Sequence, residues 1–328
     1  HHAAHMASSF FVSPFEEADI ISLDGVGEWE TTVLGRGKAN TITRLSSTFF
    51  PHSIGYLFSA VTRHLGFRVN NDEYKVMGLA GYGDPARHRA LMRRVVHLED
   101  GGGFSVDPRY LKIGLGWGQV SARFTAECGV APRAPEGELL QEHKDLAAAV
   151  QELTEELGVH LARGLQKRTG GKNICLSGGV ALNCIMNARI LEETDYQDIF
   201  IQPAAYDASG SLGSALWIEH MVLGRPRGFK MTHAYHGYEA ADGEVLATLR
   251  NFPEVSFRKC DDFAKAAAAE IAKQRIVGWY QGRMEWGPRA LGNRSLLADP
   301  RERRMMDYVN DKVKHREDFR PFAPSVKL

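Results

Sequence analysis

His1 and His5 stand four residues apart in "HHAAHMASSFF". If that stretch is helical, the spacing puts both imidazoles on one face, close enough to share a metal ion, and turns His2 elsewhere. The same letters also read as a cloning scar, a histidine repeat followed by His-Met, of the kind set aside before a fold is considered. A metal would need carboxylates delivered from loops. Asp24, at a glycine-rich corner, and Asp207, between a strand-like and a helix-like run, are the candidates. Each has an ordinary alternative, Asp24 as a turn-former and Asp207 as a helix N-cap. Two histidines and two aspartates suit a divalent transition metal such as Fe²⁺, Mn²⁺ or Zn²⁺, with positions left open for a ligand.

A second stretch, "CLSGGVALN", puts Gly178 and Gly179 between a strand-like run and a helix-like one. A glycine pair there lets a ligand approach the backbone, and a helix start offers N–H groups and a positive dipole end to an anion. Alone it is equally a tight turn. It is neither a Walker A loop nor G-x-G-x-x-G, so neither a P-loop ATPase nor a Rossmann dehydrogenase is supported. A third region, "QGRMEWGPRALGNRS" with its sequel "DKVKHREDFRPFAPS", is basic, with eleven Lys and Arg against seven Asp and Glu from Ile276 onward. Arginines held between Gly and Pro suit bidentate binding of phosphate or carboxylate; a solvated charged face is the alternative.

The elements that must position these groups follow from periodicity. "ADIISLDGVGEWETTVLGRG" reads as a β-hairpin with its corner at Gly25 and Gly27 and Asp24 at the turn. "SIGYLFSAVTRHLGF" has a helical apolar face, "EYKVMGLAGYGDP" breaks into a glycine-rich loop, and "LEDGGGFSVD" reads as a surface hairpin. The longest helix is expected over His143–Lys167, with Leu146, Val150, Leu153, Leu157 and Leu161 as its stripe and Gly170-Gly171 as its end. "NICLSGGVALNCIMNARIL" and "DIFIQPAAYDASGSLGSALWIEHMVLG" then repeat a strand–loop–helix theme, which argues for an α/β domain. "GRPRGFK" at 224–230 is the linker candidate, and a second unit follows with helix-like "DDFAKAAAAEIAKQ" and strand-like "RIVGWYQG".

The totals set bounds. The chain has 328 residues, about two domains' worth, and forty Lys and Arg balance forty Asp and Glu. No overall field calls for nucleic acid or an anionic membrane. Four cysteines without a C-x-x-C pair point to reduced, mostly buried thiols of a cytoplasmic protein rather than a zinc site or disulfide framework. No apolar run is long enough for a transmembrane helix.

Seven stretches carry a resemblance: "HHAAHMASSFF", "LDGVGEWETT", "EYKVMGLAGYG", "LSGGVALN", "QPAAYDASGSLGSA", "EWGPRALGNRSLLADP" and "FRPFAPSV". In that order, over nearly the whole chain, they resemble the ATP-dependent O-carbamoyltransferases, the family of nodulation-factor and antibiotic carbamoyltransferases. The resemblance implies that the histidines belong to the protein. It further implies an α/β fold: an actin-like, RNase H-like ATPase domain lacking its N-terminal part over residues 1–225, then the first part of a YrdC-like α/β domain over 226–328. The family's metal ligands fall on His1, His5, Asp24 and Asp207, with Fe²⁺ ahead of Mn²⁺ or Zn²⁺. Its nucleotide loop falls on Gly178, Gly179 and Asn183, and its carbamoyl phosphate and ATP contacts fall on Arg289, Arg294, Lys314 and Arg320.

In that family, carbamoyl phosphate and ATP give carbamoyl adenylate, whose carbamoyl group passes to a hydroxyl of a small-molecule or saccharide acceptor. Two other readings share these features: a metal- and nucleotide-binding regulator without catalysis, and a relative of the tRNA threonylcarbamoyl transferases. A chain shortened at both ends is expected to expose apolar surface near residues 18–35 and 276–281, where strands would lose their partners.

Overall fold

The computed structural model describes residues 1–114 and 118–327 and divides into two compact units, His1–Met231 and Thr232–Leu328. The first unit opens with helix α1 (His2–Phe10), followed by three strands, β1 (Glu17–Gly27), β2 (Glu30–Lys38) and β3 (Thr41–Phe49). Helices α2 (Ile54–His64), α3 (Glu73–Ala80) and α4 (Ala86–Val95) come next, then the small hairpin β4 (Val96–Glu99) and β5 (Gly103–Val106), and α5 (Ala122–Cys128). The long α6 (Gln141–Thr169) leads into β6 (Asn173–Ser177), α7 (Cys184–Glu193), β7 (Asp198–Ile201) and α8 (Gly210–Leu216), which continues as a π-helical turn over Trp217–Val222.

The main sheet has the order β3-β2-β1-β6-β7. β1, β2 and β3 pair antiparallel, while β6 joins β1 and β7 joins β6 in parallel. The alternating α and β elements therefore build a mixed α/β fold with a partly parallel sheet. On one face α1 buries Met6, Ala7, Phe10 and Phe11 against Ala18, Ile20, Val33, Ile42 and Cys175. Side chains alternate along a strand, so Ile21 and Leu23 serve the other face, and α2 and α6 also pack against β1. The whole expected stripe of α6, Leu146 to Leu161, is buried, and Gly170 ends the helix in the left-handed conformation at φ 66°.

Four expectations change. The hairpin turn lies at Glu28 and Trp29, with Glu28 at φ 59°, so Asp24 sits inside β1 and not at the turn. "EYKVMGLA" is helical as α3, and the glycine-rich loop starts only at Gly81. The apolar residues of 18–35 are not exposed, because β1 has β2 on one side and β6 on the other; Ala18, Ile20, Ile21, Leu23, Val33 and Leu34 are buried, and only Trp29 at the turn stands out. Of the four cysteines only Cys128 and Cys175 are buried.

The segment 224–230, expected as a linker, is held on the first unit. Arg227 lies over the Phe10 ring and donates to the carbonyls of Phe10, Ser13 and Phe15 at 3.0, 2.9 and 2.7 Å. The second unit is sparser. It contains α9 (Asp242–Arg250), α10 (Phe263–Ala272), an antiparallel pair β8 (Val277–Tyr280) and β9 (Arg294–Leu297), and α11 (Arg304–Tyr308). Neither α9 nor α10 buries a residue, and Tyr280 in β8 is exposed. Among the described residues no helix is long and apolar enough to cross a membrane.

At the amino end of β1, Asp19 is fully buried. Its Oδ2 accepts from Thr169 Oγ1 at 2.5 Å and Tyr196 OH at 2.7 Å, while Oδ1 has no partner. Burial pushes its pKa up, against the pull of the two hydroxyl donors. A folded pKa above the unfolded value gives stability that is complete below the unfolded pKa and is lost as pH rises through the folded one. Asp19→Asn keeps an acceptor and removes the ionisation. The melting temperature of D19N relative to the native chain is expected to rise in thermal melts as pH rises above the unfolded carboxylate pKa of about 4; a flat difference would refute it.

Candidate functional site

In open α/β sheets ligands bind beyond the carboxyl ends of the strands. Here the carboxyl-end bulge of β1 carries Asp24, the segments leaving β6 and β7 carry Gly178-Gly179 and Asp207, and α1 brings His1 and His5 to the same place. One donor atom from each of His1, His5, Asp24 and Asp207 lies within 4.8 Å of all the others. His1 Nε2, His5 Nε2 and Asp24 Oδ2 form a triangle with edges of 3.1, 2.9 and 3.2 Å. Asp207 Oδ1 stands further out, 3.5 Å from His5 and 3.8 Å from His1, with its side chain 76% exposed where that of His5 is only 2% exposed.

Each of these side chains is placed by its surroundings. Regular pairing of β1 with β2 stops at Leu23–Thr32 and resumes at Gly27–Glu30, so β1 carries extra residues in a bulge that re-aims Asp24. Ser53, the N-cap of α2, fixes the bulge: its Oγ accepts from Tyr56 N at 3.0 Å and donates to Gly25 O at 2.6 Å. His2 anchors the first turn of α1, with Nδ1 2.8 Å from Ser22 Oγ and Nε2 3.0 Å from the Glu30 carbonyl. Ser8 Oγ lies 2.8 Å from the His5 carbonyl and 3.1 Å from Ser209 Oγ, which donates to Tyr206 O; this ties α1 to the Asp207 loop. α8 crosses α1 so closely that a Cβ on Gly213 would fall 1.9 Å from the Ala4 carbonyl oxygen.

The electrostatics follow from that crowding. Burial opposes ionisation of Asp24, yet hydrogen bonds from His1 and His5 and from the Gly25 N–H hold its carboxyl well below the usual range. The bond to Asp24 raises the pKa of His1, against burial, whereas burial lowers that of His2. Donors about 2.1 Å from one cation stand about 3.0 Å apart at right angles and about 3.4 Å apart at tetrahedral angles. The triangle of His1, His5 and Asp24 has the edge lengths of one face of an octahedron and so fits a divalent cation, with Asp207 standing outside it. The Nδ1 of His5, on the far side of the ring, has no hydrogen-bond partner among the described residues.

The glycine loop presses against the same point. Gly178 has φ 86°, donates to Ala205 O at 2.8 Å, and passes so near Leu23 that a Cβ would lie 2.1 Å from its carbonyl oxygen. A Cβ on Gly179 would lie 3.3 Å from Asp24 Oδ1. Asn183 has a different setting. Its Oδ1 accepts from Met186 N and from Gln151 Nε2 while its Nδ2 donates to Gln151 Oε1 at 2.8 Å, so the amide is spent capping α7 and joining it to α6.

In the second unit Arg289 and Lys314 are exposed, and Arg320 pairs with Glu317 at 3.1 Å. Arg294 donates to the carbonyls of Gln281, Gly282 and Asn293 and stacks on Tyr280, with its guanidinium 3.6 Å from the ring centroid. That guanidinium braces its own loop. Two clefts of the first unit, about 500 Å³ beside Arg93, His160 and Arg163 and about 430 Å³ beside Ser46, Thr48 and Arg168, contain none of the four clustered residues.

Sequence reasoning left out His2, Ser8, Ser53, Ser209 and Gly213. Ser8 had a faint signal, three residues after His5 on the same helix face. Gly213 had none, because its partner is a backbone carbonyl 209 positions away.

Residues 1–216 match the family described as Carbamoyltransferase N-terminus, and residues 268–328 match Carbamoyltransferase C-terminus. The chain belongs to the carbamoyltransferase family. It is 42% identical over 334 residues to the uncharacterized protein sll1178 of Synechocystis sp., covering 99% of this chain and 54% of that one. It is 39% identical over 332 residues to Nodulation protein NolNO of Sinorhizobium fredii, covering 99% and 46%. To the 3'-hydroxymethylcephem-O-carbamoyltransferase of Streptomyces clavuligerus it is 32% identical over 258 residues, covering 79% and 44%. The chain spans about half the length of these curated relatives.

The α1–α8 crossing sets up a direct test of how the site is positioned. Gly213→Ala forces backbone apart and is expected to cost about 1–3 kcal/mol in denaturant melts. Gly210→Ala, one turn earlier with nothing within 4 Å, is the control and is expected to be neutral or slightly stabilising. Equal effects would show that the crossing is not tight.

Proposed function

We propose that this chain is the metal- and nucleotide-binding part of an ATP-dependent O-carbamoyltransferase. In this reading residues 1–231 act as an actin-like transfer domain and residues 232–328 as the opening part of a YrdC-like domain. Water cleaves carbamoyl phosphate to carbamate and phosphate. A carbamate oxygen then attacks the α-phosphorus of ATP, pyrophosphate leaves, and carbamoyl adenylate forms. A hydroxyl oxygen of a small-molecule or saccharide acceptor next attacks the carbamoyl carbon, the bond to the adenylate oxygen breaks, and AMP departs. The likeness to a 3'-hydroxymethylcephem-O-carbamoyltransferase supports a hydroxyl acceptor.

The observation that carries this reading is the convergence of His1, His5, Asp24 and Asp207 beside Gly178-Gly179, in a chain matching both parts of the family. Two imidazoles and one carboxylate on an octahedral face favour Fe²⁺, with Mn²⁺ and Zn²⁺ also compatible. A bound divalent ion supplies Lewis acidity toward carbamoyl or phosphate oxygens. The chain's own residues do the rest. Before an ion binds, hydrogen bonds from His1, His5 and the Gly25 N–H keep Asp24 ionised; Gly179 leaves room at its carboxylate, and Asp207 stands on the exposed side where a ligand can enter. In the second unit Arg289, Lys314 and Arg320 are assigned to the anionic substrates, with charge-assisted hydrogen bonds as the binding force.

Two measurements on the full-length protein test this. His5→Ala is expected to lose the divalent ion in metal analysis after dialysis and to abolish carbamoyl transfer. Arg289→Ala is expected to stop release of AMP and pyrophosphate from carbamoyl phosphate and ATP, yet to leave transfer from supplied carbamoyl adenylate within about threefold of native. Full metal retention by H5A, or damage by R289A confined to transfer, would overturn the respective assignments.

A further inference from the structure

The strongest unexplained feature of the second unit is a carboxylate inside the arginine-rich loop. Glu285 Oε1 accepts three backbone N–H bonds, from Leu291 at 2.9 Å, Asn293 at 2.8 Å and Arg294 at 3.3 Å. Converging N–H groups of this kind form an anion cradle, and here the occupant comes from the same chain. The base of the loop is fixed independently. Met284 N donates to Tyr238 O at 2.9 Å and Trp286 N to Ala234 O at 2.6 Å, so the backbone on both sides of Glu285 is pinned to the preceding segment. The far end is braced by Asn293, whose Nδ2 donates to Arg283 O at 2.7 Å, and by the fork of Arg294.

Between these anchors runs Trp286–Gly292, with Gly287 and Gly292 at φ 111° and 108° and Arg289 exposed near the middle. Glu285 is the side chain that reaches across and closes this span into a ring. We propose that Glu285 is a positioning residue for the carbamoyl phosphate site: its side-chain oxygen gathers three loop N–H groups and so fixes where Arg289 is presented. The inference rests on the assignment of Arg289 to the anionic substrates. The N–H donors outweigh the opposing effect of partial burial and lower the pKa of Glu285, so the acceptor is ionised across the physiological range.

All three bonds go to one oxygen, which separates shape from charge. Glu285→Gln keeps that oxygen, Glu285→Asp keeps the charge but not the reach, and Glu285→Ala removes both. In the full-length protein, E285A and E285D are expected to raise KM for carbamoyl phosphate by about tenfold or more with kcat changed less than about threefold, while E285Q stays within about threefold of native on both. Melting curves of E285Q and E285D serve if E285A does not fold. If E285Q were as impaired as E285A, charge and not the cradle would matter, and the positioning role would fall. Native kinetics in E285A and E285D, with R289A impaired, would refute the role while leaving the assignment of Arg289 intact. Native KM in R289A would sink that assignment itself.

Discussion

A carboxylate held between two imidazoles is the interaction on which the first unit turns. Taking Asp24 out of water is costly unless donors replace the lost solvation, and His1, His5 and the Gly25 N–H supply them. The two imidazoles come from the α1 segment, which packs on the sheet. Its apolar face of Met6, Ala7, Phe10 and Phe11 provides the adhesion, and Gly213 provides the closeness. Packing and polar geometry are therefore one problem here. A helix rotated by a fraction of a turn would both turn this apolar face off the sheet and leave Asp24 unsatisfied.

The parts of this arrangement legible in the sequence are those with a local signature. The four-residue spacing of His1 and His5 is a helix rule, and α1 obeys it. The stripe of α6 and its terminal Gly170 were readable for the same reason. Asp24 was found for the wrong local reason, as a turn residue, because a bulge is defined by pairing with a second strand and leaves no mark in one strand's own sequence. The buried register of β1 was missed likewise. Its second neighbour, β6, lies some 150 residues away, and nothing in "DIISLDG" says which strand will pair with it.

The basic groups of the second unit show the limit of reading function from residue type. Arg294 and Arg289 stand five positions apart in one loop and look alike as anion ligands. The guanidinium of Arg294 is taken up by three carbonyls and a tyrosine face. An arginine engaged by uncharged carbonyls retains its full charge but has few N–H groups left to offer. Its contribution to a ligand is then through the field and the shape of the loop, not through a fork of hydrogen bonds. Asn183 teaches the same lesson in the first unit, where the amide that matches a nucleotide-loop position is consumed by Gln151 and a helix cap.

The charge balance of the four-residue cluster closes the argument. Two carboxylates and two neutral imidazoles carry a net charge of about −2, gathered within 4.8 Å. Without a cation the repulsion is relieved by protons, which is why hydrogen bonding to Asp24 raises the pKa of His1. A divalent cation would relieve it more completely and would have to displace that proton to do so, so its binding must weaken as pH falls. Ser53, Ser8, Ser209 and Gly213 hold the donors from outside the cluster. A set of donors fixed at these separations by the fold is preorganised: the ordering entropy is met during folding, and what remains at the site is a local excess of negative charge.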